Sequence, residues 1–148
     1  MIKFTFAPVD QKDFENLLEL RISVMREHLE RLGRFHPVRA RKRFADGFAP
    51  ENMRKIIVEG QMAGVVSLTP QNDGLELEHF YLYPDFQSIG LGGQVIKCLL
   101  READDQHLPV YLGVLKQSPA ARFYERHGFH KTHEEEWDIY YKREMIIP

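Results

Sequence analysis

The segment PDFQSIGLGGQVIKCLL, residues 84–100, constrains this chain more than any other. Pro84 stops the alternating run before it, because proline has no amide to give a sheet. Gly90, Gly92 and Gly93 follow, and Leu91, Val95, Leu99 and Ala103 then recur at helical spacing. A strand, a glycine-rich turn and a helix are therefore predicted in that order. Glycines let the backbone come close to a ligand. The first amides of the helix have no intrahelical partner and lie at the positive end of its dipole. Such a turn suits a phosphate or pyrophosphate, and Gln87 can add a side-chain donor. A Walker loop needs Lys-Ser or Lys-Thr after the glycines, and neither is present. A dinucleotide fingerprint needs a small residue where Val95 stands, inside a βαβ unit. What remains is Gln-x-x-Gly-x-Gly, and a plain strand–helix turn is the alternative reading.

The rest of the chain gives that turn a setting. Residues 2–6 alternate like a strand that Pro8 ends. Asp10 is a candidate N-cap for a long helix with Phe14, Leu18, Ile22 or Met25, Leu29 and Leu32 on one face, closed by Gly33. Residues 37–48 read as a shorter helix with a basic face. Strands over 53–58, 63–68 and 75–83, joined by turns at 59–61 and 70–74, suggest an antiparallel meander. After the glycine turn and its helix, 110–115 is a buried-type strand. Ser118 and Pro119 open a short helix as N-cap and N1, and Gly128 closes it. Residues 129–132 and 137–143 finish as strands. The order β-α-α-β-β-β-α-β-α-β-β predicts an α/β fold in which helices flank a mixed, mostly antiparallel sheet. A length of 148 residues suits a single domain over 1–148.

Composition removes several function classes. A formal net charge of −2 offers no broad basic field for nucleic acid. No apolar run approaches the roughly 18 residues of a membrane span. The first ten residues, MIKFTFAPVD, lack the apolar core of a secretory signal. Cys98 is the single cysteine, which rules out an internal disulfide and a cysteine-based zinc site. A cytoplasmic protein without membrane or nucleic-acid partners is expected.

A second segment sharpens the reading: QSPAARFYERHGF, residues 117–129. QSIGLG resembles the pyrophosphate motif Gln/Arg-x-x-Gly-x-Gly/Ala of the GCN5-related N-acetyltransferase (GNAT) superfamily. QSPAARFYERHGF resembles its downstream motif Asn-x-x-Ala-x-x-Phe-Tyr-x-x-x-Gly-Phe. The order of elements is similar over nearly the whole chain, which implies the acyl-CoA N-acyltransferase fold and acetyl-CoA as co-substrate.

The resemblance implies roles residue by residue. Backbone amides of Gln87, Ser88, Ile89, Gly90, Leu91 and Gly92, with Gly93 and Gln94 beside them, would hold the pyrophosphate. Phe80, Tyr81 and Leu82 would give main-chain contacts to the pantetheine arm, and an N–H near Leu82 would stabilise the oxyanion. The next strand would splay from its partner after Leu115. Gln117 stands where the family usually has Asn, and Phe123 would line the cofactor wall. Tyr124 would be the general acid for the departing thiolate, since a phenol of pKa about 10 keeps its proton at neutral pH. Glu76 and Glu78 share parity on the strand that leads to Phe80 and Leu82, so both face one side, and the resemblance implies that a glutamate on this strand is the base, often through water. Both could instead bind a cationic substrate.

Other residues have plainer readings. His127, His130 and His133 are interrupted by Gly128, so no metal site is expected. His79 is expected to be structural, and Cys98 a small core residue. Arg39, Arg41, Lys42 and Arg43, like Glu134, Glu135 and Glu136, read as solvated surface, and Arg122 as an outward arginine. Trp137, Tyr140 and Tyr141 are candidates for a homodimer contact. The expected activity is direct transfer of an acetyl group to a primary amine, of a small molecule rather than a protein. A non-catalytic acyl-CoA-binding module and a structural domain with a fortuitous glycine turn are the competing readings.

Overall fold

The computed structural model describes residues 1–146. Seven strands form one sheet in the order β1-β2-β3-β4-β5-β7-β6. They are β1 (Thr5–Pro8), β2 (Met53–Val58), β3 (Gln61–Pro70), β4 (Leu75–Leu82), β5 (Val110–Leu115), β6 (His130–Glu134) and β7 (Asp138–Arg143). The helices are α1 (Phe14–Arg31), α2 (Pro37–Asp46), α3 (Leu91–Asp105) and α4 (Ala120–Arg126). β4 and β5 are parallel, whereas β1–β2, β2–β3, β5–β7 and β6–β7 are antiparallel. The expected α/β class and mixed, mostly antiparallel sheet are therefore observed.

The chain divides into two compact units. The first holds 1–67 and 79–87, the second 68–78 and 88–146. In the first, Asp10 forms a capping box with Asp13 and starts a short 3-10 turn that runs into α1. Leu17, Leu18 and Leu20 of α1 pack with Phe44 of α2, Met53 of β2 and Val65 of β3. α1 ends at Gly33, at a φ of +69°, where Arg34 N–H returns to the Leu29 carbonyl at 2.8 Å. Glu59 and Gly60, both at positive φ, form the two-residue turn between β2 and β3.

In the second unit α3 buries Leu91, Val95, Ile96, Leu99, Leu100 and Ala103, which includes the four predicted stripe residues. Val110, Leu112 and Val114 of β5 are buried too. Arg143 of β7 is 7% exposed and makes a two-pronged ion pair with Asp104 of α3, at 2.7 and 3.0 Å. Every residue of β6 is exposed, and its register with β7 shifts between Lys131 and His133.

Several boundaries differ from expectation. β1 runs from Thr5 to Pro8, with Pro8 inside it opposite Arg54, as the last residue of an edge strand can be. α4 begins one residue late, at Ala120, with Pro119 at the cap position, while Ser118 still accepts from Ala120 N–H at 3.2 Å as a capping serine does. β5 pairs with β4 only at Leu75–Val110 and Glu76–Tyr111, so the two strands part well before Leu115.

Candidate active site

Gly90 sits at a φ of +88° as the N-cap of α3, with no side chain capping the helix. A residue with a Cβ is strained in that left-handed region, whereas glycine is not. The first α-type bond runs from Gln94 N–H to the Gly90 carbonyl at 3.2 Å. The amides of Leu91, Gly92 and Gly93 precede it and have no partner within the helix. Ser88 before them is also left-handed, at +61°, and residues 87–90 are exposed. This is the open, positively polarised helix start expected of an anion site.

Gln87 departs from expectation. Its side-chain Nε2–H donates to the Leu82 carbonyl at 2.8 Å. The amide thus ties the loop to the end of β4. Gln117 is exposed and left-handed, at a φ of +67°. Asn tolerates that region better than Gln, which gives a backbone reason for asparagine at this place in the motif.

β4 also holds a feature that its alternation hides. His79 lies at a φ of +50° in mid-strand. The strict two-residue period therefore ends at His79, and the face of Glu78 cannot be carried by parity to Phe80 and Leu82. The His79 ring packs edge-on against Phe44, 5.4 Å between centroids, which agrees with a structural role.

Glu76 and Glu78 are unequal. Glu76 is half-buried and Glu78 exposed. Glu76 is pushed up to about 7, chiefly by burial, then by the negative charge of Glu78 and a hydrogen bond shared with it. Gln71 Nε2–H donates to Glu76 Oε1 at 2.9 Å. With Asp73 and Tyr111, these residues line an open recess of about 300 Å³. Tyr111 Oη–H donates to Asp73 Oδ2 at 2.9 Å. A larger recess, about 470 Å³, lies between the start of α1 and α2. Two of its rim charges are engaged, since Arg41 grips Glu15 in a two-pronged pair and lies over the Phe14 ring.

Tyr124 on α4 is 9% exposed, with its ring against Phe123 at 5.2 Å and Phe129 at 5.6 Å. Gly128, at a φ of +93°, lets the chain turn back so that Phe129 N–H reaches the Tyr124 carbonyl at 3.2 Å. The three histidines are dispersed: His127 rests on Phe123 and His133 stacks on Tyr140. Among the described residues no group of three or more His, Cys, Asp or Glu side chains could hold a metal ion. No helix there is long and apolar enough to cross a membrane.

The sequence model of the acetyltransferase (GNAT) domain matches residues 24–138. The chain belongs to the GNAT acetyltransferase family. Solved GNAT structures share its fold at low identity. The PaiA N-acetyltransferase of Thermoplasma acidophilum, solved with coenzyme A, is 15% identical, with a TM-score of 0.75 over 97% of this chain and 99% of that one. An acetyltransferase of Thermus thermophilus is 17% identical, with a TM-score of 0.74 over 98% and 100%. The ribosomal-protein alanine N-acetyltransferase of Escherichia coli is 20% identical, with a TM-score of 0.67 over 99% and 96%. None of the curated proteins matches the chain in sequence.

Proposed function

We propose that this GNAT protein transfers an acetyl group from acetyl-CoA to a primary amine of a small molecule, by direct attack in a ternary complex. The observation that carries the reading is Glu76, a half-buried carboxyl with a pKa of about 7 in an open recess. A general base works best when its pKa lies near the operating pH. Acetyl-CoA supplies the activated thioester, and the amine replaces the thiol on its carbonyl carbon. The amides that open α3, which have no partner within the helix, are suited to the pyrophosphate of coenzyme A. Main-chain groups of Phe80, Tyr81 and Leu82 are suited to its pantetheine arm, with Phe123 on the wall. Glu76 takes a proton from the ammonium form of the acceptor, directly or through water, and Glu78 beside it favours a cationic substrate. Tyr124 gives its proton to the departing thiolate.

The test is release of free thiol from acetyl-CoA with a panel of small amines and N-terminal peptides, alongside calorimetric binding of coenzyme A. Binding together with amine-dependent release is the expected result. Binding without release from any acceptor would make the chain a non-catalytic acyl-CoA-binding module. Release with peptides alone would move the acceptor to proteins.

A further inference from the structure

We infer that Gln71 is a positioning residue for Glu76: its side-chain amide orients the Glu76 carboxyl in the recess and favours the ionised form. The inference rests on Glu76 being the base. The bond itself is direct, Nε2–H to Oε1 at 2.9 Å. What makes it more than a chance surface contact is the turn that carries Gln71. Gln71 N–H donates to the Gly74 carbonyl at 2.8 Å, which closes the turn on itself. Asp73, in the same turn, accepts from the Tyr111 hydroxyl at 2.9 Å. Leu75 N–H then donates to the Pro109 carbonyl at 2.9 Å. A Cβ on Gly74 would stand 2.7 Å from that carbonyl and 2.8 Å from the Tyr111 ring, so the turn lies flush against the start of β5. Tyr111 is also the residue paired with Glu76 across β4 and β5. One tyrosine therefore anchors the turn and flanks the base, and a donor held on a pinned turn keeps its aim.

The charges around Glu76 give the bond its significance. Glu78 on the same strand opposes ionisation of Glu76, and Asp73 in the turn accepts from the Tyr111 hydroxyl. Tyr140 on β7 feels the charge of Glu76, and its own hydroxyl donates to Glu135 at 3.1 Å. Lys142 on β7 lies 5.4 Å from the centroid of the Tyr111 ring, but its ammonium is paired with Glu144 at 2.9 Å. Gln71 contributes a neutral donor bonded to the carboxylate, and such a donor stabilises the charged form.

The experiment compares wild type with Gln71→Met, which keeps length without a donor, and Gln71→Glu, which adds a repelling charge. The Glu76 carboxyl is titrated by ¹³C NMR in the free protein, and kcat/KM is followed against pH with acetyl-CoA and a reactive amine. The midpoint and the acid limb should both rise by about half a pH unit in Gln71→Met and further in Gln71→Glu, with coenzyme A affinity unchanged. An unmoved Glu76 midpoint in both variants overturns the inference, whatever the activity. A midpoint that moves while the acid limb stays in place overturns the reading of Glu76 as base and leaves the Gln71 contact standing.

Discussion

At the scale of single residues, the chemistry turns on two side chains with opposite requirements. In the proposed mechanism Glu76 loses a proton near neutrality and Tyr124 keeps one until the thiolate departs. With Glu76 near 7, the basic form grows as pH rises through 7, so kcat/KM should climb over that range. Glu76→Gln should remove that limb and lower kcat/KM by about 100-fold, whereas Glu78→Gln should move the limb to lower pH by removing a repelling charge. A wild-type acid limb surviving in Glu76→Gln would exclude Glu76 as the base. Tyr124→Phe should lower kcat with coenzyme A affinity unchanged in calorimetry. The motif around Tyr124 and the glycines of the loop were legible in the sequence because local backbone needs dictate them. The choice between Glu76 and Glu78 was not legible. The preference for Glu76 rests on its burial beside Glu78, which only the fold creates.

At the scale of elements, β2 and β5 were read to the residue and α3 to its buried stripe, since each is a strongly patterned run. The left-handed residues that are not glycine escaped. His79 and Gln117 have no glycine to mark them, and alternation or motif alone gives no sign of a positive φ. Gln117 should be improvable: Gln117→Gly is expected to raise stability by about 1 kcal/mol, read as a higher urea midpoint. Gly64, in the middle of β3, shows the reverse. Its Cβ would land on the Tyr81 carbonyl, with the Leu82 Cα at 3.0 Å. Gly64→Ala should therefore destabilise by about 2 kcal/mol, and an unchanged urea midpoint would mean that β4 yields easily. Gln87 was read as a donor toward a ligand, and the structure gives its side chain a partner within the chain. Its partner, the Leu82 carbonyl five residues earlier, depends on how the chain curls after Pro84.

At the scale of the whole molecule, the second unit depends on Arg143 being paired. Arg143 is buried and the guanidinium holds the Asp104 carboxyl below the usual carboxylate range. Asp104→Ala should cost about 3 kcal/mol, because it leaves a buried cation alone. The sign with pH follows from the lowered folded value. The contribution is complete above the unfolded value of about 4 and is lost as pH falls through the folded one. Urea unfolding of wild type and Asp104→Asn, compared at pH 7 and pH 3, should show the gap between them shrinking in acid. The strand at the end of the sheet has a different consequence, for behaviour in crowded solution. Among the described residues β6 is the last strand of the sheet, and its outer backbone edge is one that another copy could extend. The register slip beside Thr132 and the charge of Lys131 interrupt that edge after two residues, as a gatekeeper would. Deleting Thr132 should straighten it, and light scattering would then rise with protein concentration as copies add end to end.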